Sequence, residues 1–212
     1  MEFSTLLELI GADPVFESSL LLSGKIDPKI VRLQLSRWVN SGRIYQLRRG
    51  LYAIAPPYQK TIPHPFLVAN RLQRSSYVSL QSALSFHGLI PDIVNITTSV
   101  SGGRPEIVET PVGIFEYRHI KPVLLFGYRM QDLGGQEALV ASPEKALLDL
   151  VYLTPGGETP AFLQGLRLQN LDHLNLNNLK TTAMAFDSPK IDKATAVIIH
   201  LKSGAESDYE DL

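Results

Sequence analysis

The chain has 212 residues, which allows one large domain or two small ones. A hydrophobic fraction of 44% supports a real core and excludes wholesale disorder, and 19% charged residues is too few for a coiled coil or highly charged scaffold. There is no cysteine, which excludes disulfides, thiolate metal sites and Cys nucleophiles; no apolar run reaches the roughly 18 residues a membrane span needs, and an acid follows Met1 where a signal peptide carries positive charge. A cytoplasmic protein is the expectation.

The net charge of −1 speaks against nucleic acid until its distribution is read. Residues 25–50 carry Lys25, Lys29, Arg32, Arg37, Arg43, Arg48 and Arg49 against Asp27 alone, a local charge of +6. Such a stripe on an otherwise acidic chain is the electrostatic footprint of a DNA-contacting module.

In chain order, residues 3–10 read as a short helix stopped by Gly11. Asp13-Pro14 predicts a second helix, passing Phe16, Leu20 and Leu21 and ending at Ser23-Gly24. Asp27-Pro28 predicts a third, because Asp accepts from free amides at the N-cap and Pro fits the first helical position. It should run to Ser41, with Gly42 at its end. At 100° per residue Val31, Leu35, Trp38 and Val39 share one face of this helix, and Lys29, Arg32, Leu33, Ser36, Arg37 and Asn40 share the other. No acid follows its cap. Arg and Asn are the side chains that read guanine and adenine edges in a major groove. Residues 43–47 and 51–54 then predict a hairpin turned at Gly50 with Arg48 and Arg49 at its tip. This order reads as a winged helix-turn-helix, with its wing near the phosphate backbone or minor groove. The candidate DNA-binding residues are Lys25, Lys29, Arg32, Ser36, Arg37, Asn40, Arg43, Arg48 and Arg49.

Residues 55–65, with four prolines, form the expected boundary. The units expected are a DNA-binding domain at 1–58, an α+β domain at 59–204 and an acidic disordered tail at 205–212. In the larger unit, helices are predicted over Pro65–Arg74 and Ser79–His87. Strands are predicted at Val94–Val100, Ile107–Glu109, Ile114–His119, Val123–Met130 and Ala138–Val140. Ser142-Pro143, Thr159-Pro160, Asn175 and Ser188-Pro189 then open four helices.

No catalytic set emerges. His64, His87, His119, His173 and His200 lack metal-ligand spacing, and no GxSxG, Walker A or GxGxxG occurs. For a nuclease, Asp92, Glu116 and Arg118 lack a lysine. Glu144, Lys145 and Asp149 are adjacent, but they read as cap electrostatics and an i,i+4 pair on one helix. No cofactor or metal is expected, and the chain reads as a non-enzyme.

Three stretches, SGRIYQLRRGLYAI at 41–54, SYVSLQSALSFHGLIP at 76–91 and ALVASPEKALLDLVYL at 138–153, resemble the AbiEi family, the antitoxins of type IV toxin–antitoxin (abortive infection) systems. The likeness covers roughly residues 10–155. It implies an N-terminal winged helix that binds inverted repeats in double-stranded operator DNA and represses its own operon. It also implies a C-terminal domain that counteracts a nucleotidyltransferase-type toxin. Direct contact with that toxin is not implied, and a homodimer on DNA is left open. The alternative is a transcription regulator whose C-terminal domain senses a ligand and which has no toxin partner.

Overall fold

The computed structural model describes residues 2–22, 27–92 and 94–210, and it is a mixed α+β chain with two sheets. The first helix, α1 (Phe3–Ile10), ends at Gly11, whose φ of +61° suits glycine. Strand β1 (Val15–Glu17) and a 3-10 turn (Ser18–Leu22) follow, then α2 (Pro28–Asn40), β2 (Ile44–Arg48) and β3 (Leu51–Ile54). These strands form an antiparallel sheet in the order β1-β3-β2.

The second helix expected from Asp13-Pro14 is therefore replaced by a strand and a 3-10 turn; Ser23 and Gly24 lie outside the described residues. Asp13 does accept from the Val15 amide at 3.2 Å, as its cap chemistry suggests. Val15, Phe16 and Glu17 then pair with β3 instead of winding, and Ile54 N–H donates to the Pro14 carbonyl at 3.3 Å. Sheet pairing decides what local propensity does not.

The small sheet is covered on both faces. Phe16, Ile44, Tyr52 and Ile54 pack with Phe3, Leu6, Ile10, Val31, Leu35 and Trp38 of the two helices. The alternate residues Val15, Leu47, Leu51 and Ala53 belong to the core of the larger unit. This two-sided burial is why β3 reads as the unbroken apolar run LYAI. The proline-rich segment is thus a chain connection but not a core boundary, since apolar side chains from before it pack into the core that lies after it.

The larger unit holds α3 (Pro65–Leu72), β4 (Ser76–Val78), α4 (Leu80–Phe86), β5 (Ile96–Ser101), β6 (Glu106–Thr110), β7 (Gly113–His119), β8 (Tyr128–Asp132) and β9 (Glu137–Ala141). The helices α5 (Pro143–Leu153), α6 (Pro160–Gly165), α7 (Leu176–Phe186) and α8 (Pro189–Glu210) follow. Its six-stranded sheet runs β6-β7-β5-β4-β9-β8; β5 pairs with β7 and β4 with β9 in parallel, and the other pairs are antiparallel. Helix α3 lies against β4, β5 and β9, α4 packs on β5 and α5, and α5 carries α7 and α8.

Three further points differ from the sequence reading. Val123–Met130 is not one strand: Pro122–Leu124 forms a 3-10 turn, Gly127 adopts a φ of +71°, and pairing begins only at Tyr128. Strand β4 lies in the middle of the sheet and has no counterpart among the expected strands. The expected disordered tail is helical as far as Glu210, within α8. Among the described residues, no helix is long and apolar enough to cross a membrane.

Candidate functional site

Helix α2 is fixed at its start by Asp27, whose carboxylate accepts from the Lys29 amide at 2.8 Å. It is fixed along its length by Val31, Leu35 and Trp38, the last meeting Phe3 edge-on with ring centroids 5.4 Å apart. With that stripe buried, Lys29, Arg32, Ser36, Arg37 and Asn40 are all exposed, as the wheel predicts. Two large apolar residues share the exposed face, Ile30 at 58% and Leu33 at 53% exposure.

The β2–β3 hairpin turns at Gly50, with φ at +85°, and the Gly50 carbonyl accepts from the Ser18 amide at 2.8 Å. That bond ties the hairpin tip to the 3-10 turn. A groove of about 400 Å³ lies beside it, with Arg32 of α2 and Arg49 of the tip among its lining residues. Two cations 17 positions apart thus share one concavity.

The other basic residues go elsewhere. Arg43 is half-buried, its guanidinium 5.2 Å from the centroid of the Phe3 ring, so it closes the edge of the small core. Arg48 turns toward the larger unit: it donates to the Leu72 carbonyl at 2.8 Å and to both carboxylate oxygens of Glu106 on β6 at 2.6 and 2.7 Å. Two more ion pairs cross the same junction, Arg71 with Asp13 at 3.5 Å and Arg74 with Glu17. The Arg74 hydrogen bond holds the Glu17 carboxyl below its usual range. Lys25 lies outside the described residues. Five candidates therefore share one helix face, Arg49 stands across a groove from it, and Arg43 and Arg48 are engaged in packing and in the junction.

A buried polar cluster in the larger unit shows in the sequence only as cap electrostatics and an i,i+4 pair. Lys145 and Asp149 are fully buried and in direct contact. Lys145 also donates to the Tyr77 hydroxyl at 2.8 Å; Tyr77 donates in turn to Asp149 at 3.0 Å, and Ser79 donates to Asp149 at 2.8 Å. The ammonium lies 4.8 to 5.4 Å from the centroids of the Phe186, Phe126 and Tyr77 rings. A Cβ at Gly127 would stand 3.1 Å from the Lys145 stem. Burial pushes the Lys145 ammonium down and the Asp149 carboxyl up, and each offsets the cost of the other. The partners of the cluster are satisfied within it, which suits a structural tie between β4 and α5. The sequence signal was present: a lysine and an aspartate four apart inside the apolar run of α5.

The residues weighed for a nuclease do not converge. Asp92 pairs with Arg167 at 2.9 Å, while Glu116 is 3.8 Å from Arg118, which also donates to the Leu153 carbonyl. His64 caps α3, accepting from the Phe66 amide, and His87 sits 2.8 Å from the Ala141 carbonyl.

No protein-family model and no curated protein matches this chain. Among solved structures, the crystal structure of the RV2827C protein from Mycobacterium tuberculosis is similar to it, with a TM-score of 0.51 and 15% identity over 92% of this chain and 80% of that one. At that identity the likeness is one of fold, here a mixed α+β chain.

Proposed function

We propose that the N-terminal unit, residues 1–58, is a winged helix that binds duplex DNA, and that the chain is a cytoplasmic, non-enzymatic antitoxin of the AbiEi type. In this reading it binds inverted repeats in its own operator and represses its operon. The unit from residue 59 onward counteracts a nucleotidyltransferase-type toxin. The observation that carries the DNA part is the outer face of α2. It is exposed along its whole length, bears Lys29, Arg32 and Arg37 with Ser36 and Asn40 and no acid, and has Arg49 across a groove from Arg32. A helix of this kind suits the major groove, with cations for phosphates and polar groups for base edges. The sheet order β1-β3-β2, with α1 and α2 on one face, supports the winged-helix assignment.

The antitoxin part rests on the three stretches that resemble AbiEi. Two of them pack as one body: β4 of the second pairs with β9 of the third, and Tyr77 and Ser79 bond to Lys145 and Asp149. Fluorescence anisotropy of the full chain with a labelled duplex of its own promoter tests the DNA part, and co-expression with an adjacent nucleotidyltransferase gene tests the rest. Tight promoter binding and restored growth are expected. Equal affinity for promoter and unrelated DNA would overturn operator binding, and persistent growth arrest would overturn the antitoxin assignment.

A further inference from the structure

Leu33 occupies the middle of the exposed face of α2. At 100° per residue it points opposite Val31, Leu35 and Trp38, with Lys29 and Arg37 one turn to either side and Ser36, Asn40 and Ile30 around it. Neither Ile30 nor Leu33 joins a core cluster, and both are more than half exposed. Single exposed leucines are common. Here two adjacent large apolar residues stand at the outermost line of a helix, ringed by cations. A face serving only solubility would carry Lys, Glu or Gln there at no loss of helix propensity.

The occupant that fits is an anionic framework with an apolar spot at its centre. In the major groove, phosphates flank both sides of an inserted helix, and the C5-methyl of thymine is the apolar group on the groove floor. Ser36 and Asn40, near Leu33 on the same face, supply the hydrogen-bonding groups that adjacent base edges accept or donate. We propose that Leu33, flanked by Ile30, contacts a thymine methyl and sets the base preference at that position. The inference rests on the DNA-binding reading of α2 and adds a specificity-determining residue to it.

The test uses the full chain and a duplex selected from a random library. Each thymine of that duplex is replaced in turn by deoxyuridine, which deletes the methyl and keeps the base pair. Wild-type protein is expected to lose about fourfold in affinity at one thymine per half-site, the scale of one buried carbon. Leu33→Ala, with unchanged circular dichroism, is expected to bind thymine and uracil duplexes equally. Arg37→Ala is expected to bind more weakly yet still discriminate. Tight binding with no thymine–uracil difference at any position, or discrimination that survives in Leu33→Ala, overturns the proposal and leaves DNA binding standing. If no duplex is captured even at low salt, the DNA-binding reading fails and this inference falls with it.

Discussion

Arg48 and Glu106 lie 58 positions apart and meet in an ion pair in which one guanidinium nitrogen reaches both carboxylate oxygens, while the other terminal nitrogen donates to the Leu72 carbonyl. The hairpin tip is thereby fastened to the edge strand of the larger sheet. In the sequence Arg48 and Arg49 are neighbours at one hairpin tip, but in the fold their surroundings divide them. Arg49 lines the groove with Arg32, whereas Arg48 holds two parts of the fold together.

Both side chains of the Arg48–Glu106 pair are more than a third exposed, so its coupling should be at most about 1 kcal/mol. A double-mutant cycle with Arg48→Ala and Glu106→Ala, read by urea unfolding, should return a value of that size. Hydrogen exchange should show faster opening of the hairpin in either single variant. Unchanged exchange would mean the pair does not hold the junction.

Removing the N-terminal unit should harm the rest. Val15, Leu47, Leu51 and Ala53 are buried in the larger core, so a fragment beginning near His64 exposes the apolar surface they cover. It should unfold at lower temperature than the same region in the full chain and bind a hydrophobic dye. A fragment as stable as the full chain, without dye binding, would show that the shared core contributes little.

The Lys145–Asp149 cluster should respond asymmetrically. Asp149→Ala leaves a buried ammonium without its counter-ion and should cost about 3–5 kcal/mol. Pairing Lys145→Met with Asp149→Leu removes both charges and should cost much less than the two single changes combined. Additive losses in denaturant titrations would contradict the coupling seen between these groups.

Trp38 is the chain's only tryptophan and is buried, so its fluorescence reports the small core. Native emission should be blue-shifted, and Trp38→Ala should cost on the order of 3–5 kcal/mol. Emission typical of a solvated indole in the native protein would contradict the packing of α2 on α1.

Burial holds His87 below the ordinary imidazole range, partly opposed by its bond with the Ala141 carbonyl, and burial lowers His64 as well. The unfolded chain therefore takes up protons at a higher pH than the native one. Stability should be intact above about 6.5 and decline as pH falls through that value toward the lower native one. Urea midpoints at pH 7.5 and 5.5 should differ less in His87→Asn than in wild type. An equal decline in both would assign the pH dependence to other groups.

Much of this fold is legible in the sequence because it is local. The Asp27-Pro28 and Ser142-Pro143 starts, the buried stripe of α2 and the Gly50 turn each follow from a few neighbouring residues. What escaped depends on distant partners. Val15–Glu17 became a strand because β3 offered a free edge, and β4 is only three residues long, too short to show alternation. The face of α2 could be drawn on a wheel, but the loss of Arg43 to Phe3 and of Arg48 to Glu106 could not, since neither partner is near in sequence. Likewise the Lys145–Asp149 spacing was visible, whereas its burial came from Tyr77 and Ser79, about 70 positions upstream.

The salt dependence of duplex binding tests the assignment of α2 and the hairpin tip most directly. The logarithm of the binding constant, plotted against the logarithm of salt concentration, should fall with a slope of about −0.9 per phosphate contacted. Arg32→Ala, Arg37→Ala and Arg49→Ala should each lessen that slope by about one contact, or, where the guanidinium reads a base instead, relax sequence preference. Arg48→Ala should leave the slope unchanged. A wild-type slope near zero, or a triple Arg32/Arg37/Arg49 alanine variant that keeps both the full slope and the full sequence preference, would contradict a DNA-binding surface on this face.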